Sequence, residues 1–507
     1  MPGETEQKKA KEKNKLIFAD LFFLYFFLPV CLVCYFATKK LKYRNLILVA
    51  FSLIFYAWGE PLWVLLLLFS SMVNWLLGIA ISPNREKTSG KILLAVALIY
   101  NIGMLGMFKY SGFIAENINA LAGTHLSEDG LGVIIVQKLN AAFDIGIKES
   151  VLPIGISFYT FQILSYIIDV YWGKVQAQKS FYKFLMYVSL FPQLVAGPIV
   201  RYADIEAEIE DRKTKLVDLS EGFSRLVIGV SKKVIIANNL SSVVTTMFGD
   251  SDNGYAGLKS VSAVGAWYGI IVIALWYYFD FSGYSDIAIG LGRMFGFHFN
   301  ENFNYPYISK NITEFWQRWH ISLGSFFRDY LLYVPIFGKR RKYGGLFLVW
   351  FCTGLWHGAS WNFILWGLYY GLFIVLELKI GRKRMKKMPS VLAHIYVTIV
   401  VAVGYGIFYF EDLPSLGRFF KSLVGLNGNG IIDAVTRTSV LNNLFLLIAA
   451  ILLSTPVVQK IKKLGDKSVG ACITVNTVGM ILNVVLLIVS SLFLLSTTNN
   501  PFLYFRF

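Results

Sequence analysis

Long stretches of apolar residues recur along almost the whole chain, and they constrain its fold more than any other feature. An α-helix needs about 20 apolar residues to cross a bilayer, because each residue adds about 1.5 Å to its length. Only 16% of the 507 residues are Asp, Glu, Lys or Arg, against roughly 25% in an ordinary soluble domain. The sequence therefore predicts an all-α, multi-pass integral membrane protein.

The apolar stretches also give an expected number of spans. We expect roughly ten to twelve spans, within one membrane domain over residues 1–507 whose histidine-containing core covers about residues 151–378. Pieces near residues 132–147 and 221–248 are short or amphipathic, so we interpret them as re-entrant or interfacial helices. The apolar stretches are Leu16–Thr38, Leu46–Trp58, Leu62–Ile81, Ile92–Phe108, Val151–Ile168, Phe181–Val200, Val261–Phe279, Leu346–Leu378, Val391–Phe410, Val440–Val457 and Val475–Leu495.

The formal net charge of +17 comes largely from basic residues in short clusters beside apolar stretches, such as Lys39, Lys40, Lys42 and Arg44. Clusters of this kind mark cytoplasmic loops and attract anionic lipid headgroups. We therefore expect membrane lipid, and no nucleic acid, as the partner of this charge. The expected location is the plasma membrane.

The longest apolar stretch carries a histidine. Leu346–Leu378 holds 33 residues, and one straight helix of that length would measure roughly 50 Å, well beyond a hydrocarbon core of about 30 Å. The stretch must tilt, bend or break, and the glycines and hydroxyls of Thr353–Ser360 predict the break there. His357 then lies near mid-membrane depth, where a neutral imidazole can act as a general base. The alternative is a core histidine that is only hydrogen-bonded to a neighbouring helix.

A polar and aromatic segment, Asn311–Tyr333, precedes this stretch. Asn311 and Glu314 have the spacing of a capping box, which predicts the start of a helix. The segment also carries His320, and we interpret it either as part of a reaction chamber or as an interfacial helix anchored by its tryptophans. Its aromatic face comprises Trp316, Trp319, Leu323, Phe326 or Phe327, and Tyr330, and its polar side comprises Gln317, Arg318, Ser325, Arg328 and Asp329.

Further polar groups end an aromatic span at Phe279–Asp286. Asp280 is interpreted either as a group that orients an imidazole or an arginine, or as a carboxylate at the aqueous end of the span. Ser282 lies two residues further on. The sequence contains no Walker-type loop, nucleophile-elbow motif or cluster with metal-ligand spacing, so we expect no metal site.

Two of these segments resemble the signature of the membrane-bound O-acyltransferase (MBOAT) family. Phe315–Leu323 (FWQRWHISL), followed by Phe327–Leu331 (FRDYL), is similar to one signature, and Gly354–Asn362 (GLWHGASWN) resembles the family's histidine segment. The resemblance covers nearly the whole chain and is strongest to the bacterial branch that O-acetylates alginate and other polysaccharides. Further matches to this branch are Pro153–Gln162, Val195–Ile199 and Phe279–Asp286.

The resemblance implies a multi-helix bundle with a central funnel or tunnel. It further implies that an acyl group, expected to be acetyl, passes from a cytoplasmic thioester such as acetyl-CoA to an extracytoplasmic polysaccharide or to an esterase-like partner protein, without a bound cofactor. D-alanyl transfer to teichoic acid and a transporter or flippase without chemistry stay open as alternatives. The implied catalytic residues are His357 and His320, and the implied substrate-binding residues are Trp316, Arg318, Arg328, Asp329, Trp356, Asn362, Asp280 and Ser282.

Overall fold

A computed structural model of the chain describes residues 18–143, 152–194, 197–333 and 341–496. Within these ranges every regular element is a helix, which confirms the all-α fold class. In this described part of the chain, seven helices are long and apolar enough to cross a membrane. An eighth span results if Ala434–Asn442 and Leu444–Leu453, which meet at a bend of 64°, are counted as one. The prediction of a multi-pass membrane protein is thus confirmed.

The number of span-length helices in the described ranges is lower than the ten to twelve expected, because some apolar stretches form shorter helices. Residues 151–168 contribute to a helix of 16 residues, Ile156–Tyr171. Residues 181–200 include two short helices, Phe181–Ser189 and Phe191–Leu194. In contrast, residues 221–248, interpreted as a re-entrant or interfacial piece, lie within Leu216–Asn253, which is long and apolar enough to cross a membrane. Residues 144–147 of the other such piece lie outside the described residues.

The described chain forms two compact units. The first comprises the described residues up to Phe223 together with Ala288–Asn300. Two of its spans are joined by the amides of Asn74 and Asn101, which exchange hydrogen bonds of 3.1 and 2.6 Å. Such amide pairs hold helices together where lipid offers no hydrogen-bond partner. The helices of this unit are Phe23–Phe27, Leu28–Ala37, Leu41–Gly59, Trp63–Ile81, Ser82–Asn84, Thr88–Leu105, Gly106–Tyr110, Ser111–Ala122, Gly130–Phe143, Ile156–Tyr171, Phe181–Ser189, Phe191–Leu194 and Tyr202–Glu210.

The second unit comprises Ser224–Ile287 and the described residues from Glu301 to Ser496, and it contains every residue predicted for the site. The expectation of a single domain, like that of a funnel or tunnel, stays a prediction. The helices Leu216–Ser231 and Ala263–Met294 contribute to both units. The others in this unit are Lys232–Ala237, Asn238–Phe248, Ser251–Asn253, Ala256–Lys259, Pro306–Ile308, Ile312–Arg318, Ile321–Phe327, Arg328–Leu332, Lys342–His357, Trp361–Ile380, Arg382–Lys386, Ser390–Tyr409, Leu413–Leu423, Ala434–Asn442, Leu444–Leu453, Val457–Lys462, Gly465–Lys467 and Val469–Ser496.

Candidate active site

The apolar stretch that carries His357 folds back on itself. Its first helix, Lys342–His357, ends at the histidine, and its second, Trp361–Ile380, begins after the extended residues Gly358–Ser360. We call these two helices the histidine hairpin. The predicted break is therefore confirmed, and the chain reverses direction there instead of continuing along one axis.

Glycines allow the two arms of the histidine hairpin to pack closely. A Cβ atom on Gly354 would collide with the backbone of Phe363, whose carbonyl carbon would lie 3.1 Å away. A Cβ atom on Gly367 would collide with the carbonyl oxygen of Trp350. Because Gly354 faces the start of the second arm and Trp350 faces a later turn, the arms are antiparallel. The absence of side chains at these glycines sets the distance between them.

We predict that Gly354→Val and Gly367→Val each push the arms apart. Added volume at a close-packed contact costs roughly 1–3 kcal/mol, and more where backbone must move. Both variants should lower the midpoint of thermal unfolding of the purified protein in detergent and reduce any activity that depends on His357. Gly417→Ala is the matched control, because no atom lies within 4 Å of the added Cβ. Equal stability of all three variants would contradict the prediction.

The imidazole of His357 is enclosed by aromatic rings. Its side chain is 5% exposed, and its ring centroid lies 4.8 Å from that of Trp366, 5.0 Å from Trp356 and 5.4 Å from Phe408. All three rings meet the imidazole at steep angles of 79–83°. Aromatic walls of this kind exclude water, so a proton acceptor placed here works in a medium of low polarity.

The segment that carries His320 is broken at that residue. Asn311 caps the helix Ile312–Arg318 by accepting the Glu314 N–H at 2.8 Å, which confirms the predicted helix start. The carboxylate of Glu314 accepts the N–H of Lys310, not that of Asn311 as a capping box requires. His320 adopts the left-handed conformation, with φ of 46°, and the next helix starts at Ile321. The prediction of one helix with a continuous aromatic face over Asn311–Tyr333 is therefore wrong.

His320 is buried, with 4% of its surface exposed. Its Nδ1 atom lies 3.2 Å from Oδ1 of Asn302. Removal from water lowers the pKa of His320 to about 4, because burial disfavours the charged imidazolium. The side chain lies outside the span-length helices and is neutral at physiological pH.

Trp356 contacts both histidines. Its ring centroid lies 5.0 Å from that of His357 and 6.0 Å from that of His320. The fold thus brings together two imidazoles that are 37 residues apart in sequence. Two basic nitrogen-containing rings beside one apolar wall form an arrangement suited to proton transfer.

Two more predicted residues support this cluster. Trp316 packs on Trp366 at 5.5 Å, one ring removed from His357. Asn362 is buried near the start of the second arm and donates to the carbonyl oxygen of Phe408 at 3.4 Å. It thereby ties the histidine hairpin to the helix Ser390–Tyr409.

The charged side chains among the remaining predicted residues form ion pairs. Arg318 pairs with Glu314 at 3.0 Å, and Arg328 is exposed and pairs with the adjacent Asp329 at 2.7 Å. Asp280 pairs with Lys233, and its role as a group that orients an imidazole or an arginine stays a prediction. Ser282 is buried on the same helix as Asp280. In the described part of the chain, no three His, Cys, Asp or Glu side chains lie close enough together to hold a metal ion.

Glu377 is a functional candidate that sequence reasoning missed. Its buried carboxylate accepts the backbone N–H groups of Ile312 and Thr313 at 2.6 and 2.9 Å, and the Tyr396 hydroxyl at 3.1 Å. It therefore anchors the start of the helix that carries Trp316 to the second arm of the histidine hairpin. The available signal was an acidic residue inside an apolar stretch, which is costly unless it has partners.

The sequence is similar to known acyltransferases. The profile of the MBOAT, membrane-bound O-acyltransferase family matches residues 175–410. A probable alginate O-acetylase of Pseudomonas putida is 35% identical over 97% of this chain and 100% of its own length. A peptidoglycan O-acetyltransferase of Helicobacter pylori is 32% identical over 82% of this chain and 80% of its own length. A teichoic acid D-alanyltransferase of Bacillus subtilis is 30% identical over 52% of this chain and 69% of its own length.

Proposed function

Because this chain belongs to the membrane-bound O-acyltransferase family, we propose that it transfers an acetyl group from a cytoplasmic acyl thioester to a hydroxyl group outside the membrane. The acceptor is a cell-surface polysaccharide or an esterase-like partner protein that acetylates it. The observation that carries the proposal is the contact of His357 and His320 with one indole ring, Trp356. The alternative of a carrier without chemistry does not fit a family of acyltransferases.

The relatives support acetyl over D-alanyl as the group transferred. The alginate O-acetylase of Pseudomonas putida aligns along its whole length, and the peptidoglycan O-acetyltransferase along four-fifths. The D-alanyltransferase of Bacillus subtilis aligns with only about half of this chain. Alginate and peptidoglycan are both polymers that carry sugar hydroxyls, so a sugar hydroxyl is the acceptor chemistry that the two acetylating relatives share.

The distribution of basic residues supports a donor on the cytoplasmic side. Arg341 caps the first arm of the histidine hairpin and Lys342 begins it, whereas Lys379 lies in the last turn of the second arm and Arg382 and Lys383 follow that arm. Basic residues at membrane ends favour the cytoplasm, so in the proposed orientation the first arm starts there and the second arm ends there. The first arm has 16 residues, and at about 1.5 Å per residue it reaches at most about 24 Å into a core of about 30 Å. We propose that the acceptor approaches His357, at the tip of this arm, from the far side.

The chemical step needs one base and one acyl acceptor. In the proposed reaction, the His357 imidazole takes the proton of the acceptor hydroxyl while the oxygen of that hydroxyl attacks the thioester carbonyl carbon. The tetrahedral intermediate then breaks its C–S bond, and the leaving thiolate receives the proton from the imidazolium. His320, held neutral, assists as the second proton-transfer group. An ester and a free thiol are the products, and no cofactor is consumed.

The acyl group that the protein transfers can be identified from the base-labile esters on the cell surface. We predict that deletion of the gene removes most ester-linked acetate from the surface polysaccharide and leaves D-alanine esters unchanged. Acetate and D-alanine released by mild alkali are measured in the parent strain, in the deletion strain and in a strain complemented with His357→Ala. Loss of D-alanine with unchanged acetate would support the teichoic acid alternative. Unchanged amounts of both would contradict the proposal.

A further inference from the structure

The orientation of the Asn302 side-chain amide is fixed by partners with known hydrogen-bonding roles. The backbone N–H of Ser322 can only donate, and it lies 3.2 Å from Asn302 Oδ1. The Ser322 hydroxyl donates to the same oxygen at 2.9 Å, and Asn302 Nδ2 donates to Ser285 Oγ at 2.9 Å. The amide oxygen therefore faces His320, and the amide nitrogen faces Ser285 on the helix Ala263–Met294.

This orientation decides which nitrogen of His320 carries the hydrogen. The Nδ1 atom lies 3.2 Å from Asn302 Oδ1, an oxygen that has no hydrogen to give. The contact is a hydrogen bond only if Nδ1 donates, so Nε2 keeps its lone pair. We propose that Asn302 is a positioning residue that holds His320 in this tautomer, ready to accept a proton at Nε2. The inference deepens the proposed function, on which the role of His320 in the reaction rests.

Asn302 also holds the backbone at His320. Its backbone carbonyl oxygen accepts the Ile321 N–H at 2.9 Å. The backbone and side-chain oxygens of Asn302 together therefore accept the first two N–H groups of the helix Ile321–Phe327. The left-handed conformation of His320 is uncommon for a residue with a side chain, and surrounding contacts must maintain it. One asparagine therefore fixes both the backbone and the ring of this histidine.

The groups that face His320 in the described structure are uncharged. They are the Asn302 amide and the rings of Phe303 and Trp356 at 6.3 and 6.0 Å. His357 lies across Trp356. On the neighbouring elements, charged side chains are in ion pairs: Arg225 with Glu301 and Asp286, Lys232 with Asp286, Lys233 with Asp280, Arg318 with Glu314, and Arg328 with Asp329. A carboxylate at position 302 would be a new charge directly against the imidazole.

The tautomer can be read directly from the full-length protein. The chain holds five histidines, so 15N-histidine labelling in lipid nanodiscs gives few signals. The His320 signal is assigned by its loss in His320→Gln, or by replacing the other four histidines. We expect a hydrogen on Nδ1 and none on Nε2 from pH 8 down to about pH 5. A hydrogen on Nε2, or on both nitrogens, in this range would overturn the proposal.

Asn302→Asp tests the positioning role. Aspartate keeps an acceptor oxygen at Nδ1 but adds a negative charge that favours the imidazolium. We expect the protonation midpoint of His320 to rise by at least about one pH unit. Asn304→Asp is the matched control, because this exposed residue lies two positions away and contacts Arg318 through its backbone. Equal midpoints in the wild type and Asn302→Asp would overturn the proposal.

Acyl transfer measured on the same variants separates this inference from the proposed function. If His320 takes a proton during transfer, the acidic limb of the pH–rate profile should follow the NMR midpoint upward in Asn302→Asp and stay unchanged in Asn304→Asp. If the pH–rate profile stays unchanged while the NMR protonation midpoint of His320 rises, His320 takes no proton during transfer. The assignment of its tautomer would still hold.

Discussion

Replacing His357 with alanine is expected to reduce acyl transfer by about 10²–10⁴-fold, the usual contribution of a positioned general base. The side chain ends the first arm of the histidine hairpin and lies against Trp356, Trp366 and Phe408. His320 cannot take over this role without moving, because it contacts Trp356 from a different segment of the chain. Transfer is measured with labelled donor and purified protein in nanodiscs, alongside the release of surface acetate in cells.

The matched control for this prediction is His394→Ala. His394 is a half-buried histidine in the span-length helix Ser390–Tyr409, and it is not among the residues described above as contacting His357 or His320. We expect this variant to keep its activity. Added imidazole should restore part of the activity of His357→Ala, because it can enter the space left by the ring and accept the proton. His357→Ala that folds normally and transfers at the wild-type rate would reject the proposed mechanism.

The fold class was predictable because it depends on composition, whereas the lengths of individual helices depend on packing. Apolar stretches with few charges permit only helices in a bilayer, since each backbone polar group must be satisfied within the segment. The break also followed from local sequence, because the length of the stretch together with the glycines and hydroxyls of Thr353–Ser360 predicted it, and it lies at Gly358–Ser360. The reversal of the chain there did not, because it requires contacts such as Gly354 against Phe363 that only the folded structure provides.

The residues of the candidate site were predictable where a motif lies within one segment. They were not predictable where the contacting residues are far apart in sequence. His357 and His320 stood out as histidines in aromatic or apolar segments, and their segments resemble family signatures. Asn302 and Phe408 carried no such signal, because they meet the histidines only through tertiary packing. Arg328 is exposed and pairs with Asp329, a contact that helical spacing does not predict, and its role in binding substrate stays a prediction.

A buried ion pair in the second unit provides the largest expected effect on stability. Lys233 Nζ lies 2.5 Å from Asp280 Oδ1, and the two side chains are 3% and 0% exposed. Gly229 and Gly283 allow this close approach, because a Cβ atom on Gly229 would lie 2.6 Å from the Gly283 carbonyl oxygen. Both charges sit in span-length helices, where an isolated charge has neither water nor headgroups to solvate it.

Asp280→Ala and Lys233→Ala should therefore each destabilise the protein by about 3–5 kcal/mol, because each leaves its partner charged and buried. The double variant Lys233→Met, Asp280→Leu removes both charges, so it should recover most of this loss. Lys183→Ala is the matched control: Lys183 also lies 2.5 Å from a carboxylate, Glu210, but the pair is 21% and 47% exposed, so its loss should cost less than about 1 kcal/mol. Unfolding by increasing SDS in mixed micelles measures all four. If the double variant is no more stable than the single ones, the loss comes from packing and not from the unpaired charge.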